Sequence, residues 1–104
     1  MAGLVTTLKP GQSLAAGDYF AGPWRDFQHL RLAPGQREEF VADNVELAAF
    51  VISGSGAGAI GDDSVPLREG VSLTVGLGSR VAVTAGQEGL DVFVTRLDVA
   101  ADPR

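Results

Sequence analysis

Turn-forming residues interrupt this chain so often that long helices have little room. The 14 glycines and five prolines stand as punctuation: Pro10-Gly11, Gly17-Asp18, Gly22-Pro23, Pro34-Gly35, Gly54 to Gly58, Gly61-Asp62-Asp63, Glu69-Gly70, Gly76 to Gly78 and Gly86 to Gly89. Glycine reaches positive φ at no steric cost and proline removes a backbone donor, so each mark tends to end a regular element. Between the marks lie short runs rich in Val, Leu, Phe and Thr. That is the strand-and-turn rhythm of an all-β sandwich or barrel.

The runs themselves carry a period of two. In RVAVTA, Val81 and Val83 share one face while Arg80, Ala82 and Thr84 share the other. VSLTV groups Val71, Leu73 and Val75 against Ser72 and Thr74. In LDVFVTRL, Leu90, Val92 and Val94 alternate with Asp91, Phe93 and Thr95, so both faces are largely apolar as far as Arg96. LAAFVIS is apolar throughout, as expected of a strand covered on both sides. The best helical alternative is QREEFVADNVELAAF. It contains Asp43-Asn44, a pair suited to a turn or bulge, and runs into β-type FVIS without a cap.

A length of 104 residues suits one domain with one modest core. A formal charge of −5 argues against a nucleic-acid surface, which needs clustered basic side chains. With no cysteine, disulfides, thiolate nucleophiles and Cys-ligated zinc are excluded. The opening MAGLVTTLKPGQSL lacks a basic region followed by a sustained apolar run, and no stretch approaches the roughly 20 apolar residues that span a bilayer. A cytoplasmic protein without membrane partners is expected.

The glycine spacing resembles the two-motif signature of the small-barrel cupins. Gly35 is followed by five residues, Val41-Ala42-Asp43, three residues, Leu47, six residues and Gly54. Gly70 is followed by five residues, Gly76-Leu77-Gly78, two residues and Val81. The likeness covers about residues 27 to 97 and includes LRLAPG, the FVISGSGAGAIGDDSVPLREGVSLTVGLGSR connection and the closing LDVFVTRL. It implies a small cupin-type barrel, a jelly-roll-like double sheet. In that family two histidines, a glutamate and a third histidine usually hold a divalent metal within the barrel. Here those positions fall on Val41, Asp43, Leu47 and Val81, and the second-motif proline and asparagine on Gly76 and Ala85. One carboxylate among aliphatic residues does not make up the three or four donors that a metal requires. A one-residue bulge swinging Glu46 inward would still leave the set without an imidazole. The expected interior is therefore apolar, with no metal and no other cofactor, and it is either filled by side chains or open to one small ligand.

Candidate residues follow from that expectation. Asp43, if it faces the lumen, is a candidate acid, base or hydrogen-bond anchor, and otherwise a turn residue. His29, the only histidine, is a candidate acid or base, or else a strand residue on the face opposite Leu30 and Leu32. Val41, Leu47 and Val81 would line the pocket. Tyr19 and Trp24 would sit at its mouth or plug one end, and Arg31 would clamp an anionic group or lie on a solvated face. GSGAGAIG lacks the Lys and Ser/Thr of a phosphate loop and reads as a hairpin. Two functional classes stay open. One is a metal-independent protein enclosing a small apolar or amphipathic molecule, as a binder or as a cyclase or isomerase rather than an oxygenase. The other is a regulatory or structural subunit acting through a homodimer, which the resemblance favours.

Overall fold

The computed structural model describes residues 6–99. Its elements are β1 (Ser13–Ala15), a 3-10 turn (Ala16–Asp18), β2 (Trp24–Leu32), β3 (Arg37–Val41), β4 (Val45–Ile60), β5 (Asp63–Arg68), β6 (Ser72–Val75) and β7 (Arg80–Asp98). The stretch weighed as a helix is two strands joined at Asp43-Asn44, where Asn44 takes φ 62° to reverse the chain. Asparagine tolerates that left-handed conformation better than most residues.

Every strand pairing is antiparallel. The two long strands, β4 and β7, pair with each other along most of their length and carry the remaining strands on their outer edges. The first part of β4 and the last part of β7 build a layer ordered β1-β2-β7-β4-β6. The last part of β4 and the first part of β7 build a second layer, ordered β3-β7-β4-β5. The shortest dimension of the molecule, 18 Å, accommodates two sheets packed at the usual spacing of about 10 Å. No helix among the described residues is long and apolar enough to cross a membrane.

The interior follows from the period of two. On β4, Val45, Leu47, Ala49 and Val51 are buried while Glu46, Phe50 and Ile52 are exposed. Val81, Val83 and Ala85, then Leu90, Val92 and Val94, place both parts of β7 in the same core. Leu32, Phe40, Leu67, Leu73 and Val75 close around them. Each such Val or Leu contributes about 1.5–3 kcal/mol by leaving water.

Two layers share two strands because the chain bends at a glycine corner. Register shifts occur on β4 between Val51 and Ser53, opposite Val92 and Asp91, and between Gly54 and Gly56, opposite the stretch from Gly86 to Gly89. Gly54 has φ 90°, and a Cβ there would overlap the carbonyl oxygen of Gly89. A Cβ on Gly56 would overlap the carbonyl oxygen of Thr84. Gly61 (φ 59°), at the β4–β5 turn, faces open space instead.

Gly54→Ala should therefore lower stability by at least about 2 kcal/mol, from positive φ plus backbone overlap, whereas Gly61→Ala should cost only about 1 kcal/mol. Urea unfolding of both variants checks this. Equal losses would show that the corner tolerates a side chain.

Candidate functional site

Strands β2 and β3 lie on the same side of the molecule but belong to different layers and form no ladder with each other. Both pair with β7, β2 with its last part and β3 with its first. The interior is thus open where these two strands part. On β2, a register shift between Trp24 and Asp26 leaves Arg25 unpaired, after which the alternation is regular. Asp26, Gln28, Leu30 and Leu32 pair with Arg96, Val94, Val92 and Leu90 on the inner face. Phe27, His29 and Arg31 pair with Thr95, Phe93 and Asp91 on the outer face. On β3, Glu38 and Phe40 pair with the buried Val83 and Val81.

Two cavities open along this seam. One, of about 320 Å³, is lined by Gln28, Leu30, Glu38, Glu39, Phe40, Val41, Leu47, Val94 and Arg96. The other, of about 480 Å³, is lined by Pro10, Gly11, Leu30, Arg31, Leu32, Ala33, Gln36 and Glu38. Leu30 and Glu38 belong to both. Either volume lies in the range of small-molecule sites, which typically combine apolar walls with a few directed polar groups.

The polar groups are few and specific. Arg96 donates from Nε to Asp26 Oδ1 at 2.8 Å and from Nη2 to Oδ2 at 2.5 Å. Gln28 Nε2 donates to the same Oδ2 at 3.3 Å. The hydrogen bonds from Arg96 outweigh the desolvation of a half-buried group and hold the Asp26 carboxyl below its ordinary range, while the Arg96 guanidinium is raised in turn. Glu38, half-buried on the neighbouring strand, has neither an ion pair nor a side-chain hydrogen bond among the described residues.

The expected site residues are only partly brought together. Val41 and Leu47 do line the first cavity, but Val41 sits on its rim, 43% exposed. Val81 is buried in the core. Asp43 does not face the interior. Ala42 donates its N–H to Ser79 O at 3.0 Å and accepts from Gly78 N at 2.9 Å. This turns the Ala42 methyl inward, where it is 1% exposed, and its neighbours outward. A one-residue change of phase exchanges the two faces of a strand. Asp43 is thus an exposed turn residue. Glu46 also faces outward, and its Oε2 accepts from Leu77 N at 3.1 Å.

His29 lies on the outer face, fastening the N-terminal segment. Its Nδ1 donates to Leu8 O at 2.9 Å, while its backbone pairs with Gly11 and Gln12. Its Nε2 is buried without a hydrogen-bond partner, 3.7 Å from Asp91 Oδ2. Arg31 is exposed and donates two hydrogen bonds to Asp91, at 2.8 and 3.1 Å. Those bonds are the main cause of a lowered Asp91 carboxyl, with His29 a lesser one. Trp24 and Tyr19 are exposed, and Trp24 joins an outer-face aromatic group with Phe20, Phe27 and Phe93.

A divalent metal does not fit the four positions the resemblance would assign to it. Val41 and Asp43 point outward, and Leu47 and Val81 are aliphatic and buried. Among the described residues, no three His, Cys, Asp or Glu side chains are placed to share an ion.

The groove residues Gln28, Glu38 and Arg96, and the Asp26 that pairs with Arg96, were not among the sequence candidates. Their signal was present in the alternation: Gln28 shares a face with Leu30 and Leu32, Arg96 with Val94, and Glu38 with Phe40.

Comparison with solved structures identifies the architecture as the cupin fold. A cupin protein from Bacteroides fragilis superposes with a TM-score of 0.73 at 12% identity, over 97% of this chain and 88% of that one. A Cupin 2 conserved barrel domain protein from Salinispora arenicola gives 0.72 at 19% identity, over 85% and 74%. A predicted oxalate decarboxylase from Thermotoga maritima gives 0.64 at 14%, over 74% and 69%. No protein-family model and no curated protein matches the sequence.

The Asp26–Arg96 pair makes stability depend on acid. A carboxyl whose folded pKa is depressed contributes stability above its unfolded value, and that contribution is lost as pH falls through the folded one. Wild-type stability should thus decline below the ordinary aspartate value of 3.8. Asp26→Asn should cost about 1–3 kcal/mol at pH 7, with the gap narrowing as pH drops toward 2. Urea midpoints measured across that range check it. A gap independent of pH would show that the charge on Asp26 is not what stabilises.

Proposed function

We propose that this cupin-fold chain is a metal-independent binding module that holds one small amphipathic molecule in the groove between β2 and β3. The observation carrying this reading is the contrast within its interior. Aliphatic side chains fill the core between the layers, while two cavities converge on Leu30 and Glu38 where the layers part. Leu30, Phe40, Leu47 and Val94 offer an apolar wall, and Gln28, Glu38 and the Arg96–Asp26 pair offer polar contacts.

Binding is favoured over turnover by where the titratable groups lie. His29 is committed to Leu8 on the outer face and Asp43 is in an exposed turn, so neither candidate acid or base reaches the groove. A cyclase or isomerase reading would rest on groove shape and Glu38 alone.

Backbone amide NMR shifts during titration with a panel of small amphipathic compounds test the site. Perturbations should concentrate at Leu30, Glu38, Phe40 and Val94. Leu30→Trp, which fills the junction of the cavities, should weaken binding at least about tenfold while the fold is retained. Perturbations confined to another face would refute the groove as the site.

A second reading concerns the outer face of the β1-β2-β7-β4-β6 layer. Phe50 (47% exposed), Ile52 (38%), Phe20 and Trp24 lie there beside the stacked Phe27 and Phe93. The opposite outer face instead carries Arg37, Glu39 and Arg80. An exposed apolar surface of that kind usually marks a contact, and a second copy of this chain is the proposed occupant. Sedimentation at micromolar concentration should give a dimer, and Phe50→Glu a monomer. A monomeric wild type would end this reading.

A further inference from the structure

The groove is not electrically neutral, and its unbalanced charge points to the class of ligand. On the inner face of β2, β3 and β7, the charged groups lining the groove are Glu38 and Arg96, and Asp26 lies beside Arg96 on β2. Arg96 and Asp26 neutralise each other through two hydrogen bonds. Glu39 also touches the first cavity, but it lies on the outer face of β3, 3.7 Å from both Arg37 and Arg80. Arg31, beside the second cavity, is tied to Asp91 by two hydrogen bonds. Glu38 therefore remains as the inner-face carboxylate without a cation among the described residues, at the point the two cavities share.

We infer that the ligand is an amine: an ammonium group paired with Glu38 on a short apolar body lying against Leu30, Phe40, Leu47 and Val94. This rests on the groove being the binding site. An ammonium donates to a carboxylate in the short, charge-assisted geometry that is about twice as strong as a neutral hydrogen bond. The partial desolvation of Glu38 beside Leu30 and Phe40 strengthens that attraction relative to water. An anionic ligand meets the opposite situation. Glu38 repels it, and the Arg96 donors that would form a fork to a carboxylate already point at Asp26. Recruiting Arg96 would leave Asp26 half-buried and unpaired, which is costly.

The test uses three probes with one apolar body and different heads: phenylpropylammonium, phenylpropanol and phenylpropanoate. Each is titrated into the whole chain at neutral pH while the amide shifts of Leu30, Phe40 and Val94 are followed. The ammonium should bind about tenfold tighter than the alcohol, and the carboxylate weakest. Glu38→Gln should remove the preference for the ammonium over the alcohol. The ranking on wild-type protein needs no variant, so it stands even where Glu38→Gln folds poorly. If the alcohol or the carboxylate binds these amides as tightly as the ammonium, the amine assignment is overturned and the groove stands. If no probe moves these amides, the groove reading fails and takes the amine assignment with it.

Discussion

The close approach of two backbones at the glycine corner sets the rest of this structure. Where β4 passes β7, Gly54 and Gly56 lie against carbonyl oxygens that a side chain would displace. The ladder between the two strands is interrupted there, with Gly54 opposite Leu90 and Gly56 opposite Ala85, so each strand bends and serves first one layer and then the other. A bulge increases local twist and re-aims the strand. Here the effect is to keep one alternating set of side chains in the interior on both sides of the bend. Val51 and Gly58 on β4, and Val83 and Val92 on β7, are all buried although they lie in different parts of the double sheet.

Sharing β4 and β7 leaves the other strands as additions, and this asymmetry creates the groove. On one flank, β5 and β6 are joined by a short turn, and Leu67 and Leu73 close the gap over Gly58. On the other flank, β2 and β3 meet no ladder partner across the gap. Their inner faces carry Gln28 in the row that holds Leu73 on the first flank, and Glu38 in the row that holds Val65. Polar side chains at that level keep the seam accessible, because burying them without partners would cost more than leaving them wet. The same backbone plan thus yields a sealed flank and an open one, and the difference lies in side-chain chemistry.

Much of the fold was legible because punctuation and alternation act locally. Glycine and proline placement marked the turns, and the period of two grouped Val81 with Val83, and Leu90 with Val92 and Val94, on faces that the structure buries. It also put His29 opposite Leu30 and Leu32, as the register shows. The candidate site was less legible, for two reasons. In Phe40-Val41-Ala42-Asp43 both phases place an apolar residue inward, so the pattern is ambiguous. The choice goes with the backbone hydrogen bonds of Ala42, which donates to Ser79 O and accepts from Gly78 N, both remote in sequence. Asp26 and Arg96 became partners only through a strand pairing that no local pattern specifies, beside a register shift that leaves Arg25 unpaired. Motif spacing directed attention to Asp43 and away from Glu38, five residues earlier on the face that does turn inward.

The Arg96–Asp26 pair stands at a position where leucine and valine would have sealed the interior. A partly buried ion pair is poor at adding stability, since desolvation offsets most of the attraction, and apolar replacements of similar volume are often at least as stable. What the pair does provide is geometry. Two parallel hydrogen bonds fix the guanidinium plane against β2, and Gln28 steadies the carboxylate from the same strand. Arg96 is thereby held to β2, and its charge is cancelled by Asp26 before it acts on Glu38. The arrangement keeps an uncompensated carboxylate facing an apolar wall, where even a modest attraction is felt more strongly than in water. The pair is accounted for by the groove it preserves rather than by the stability it adds.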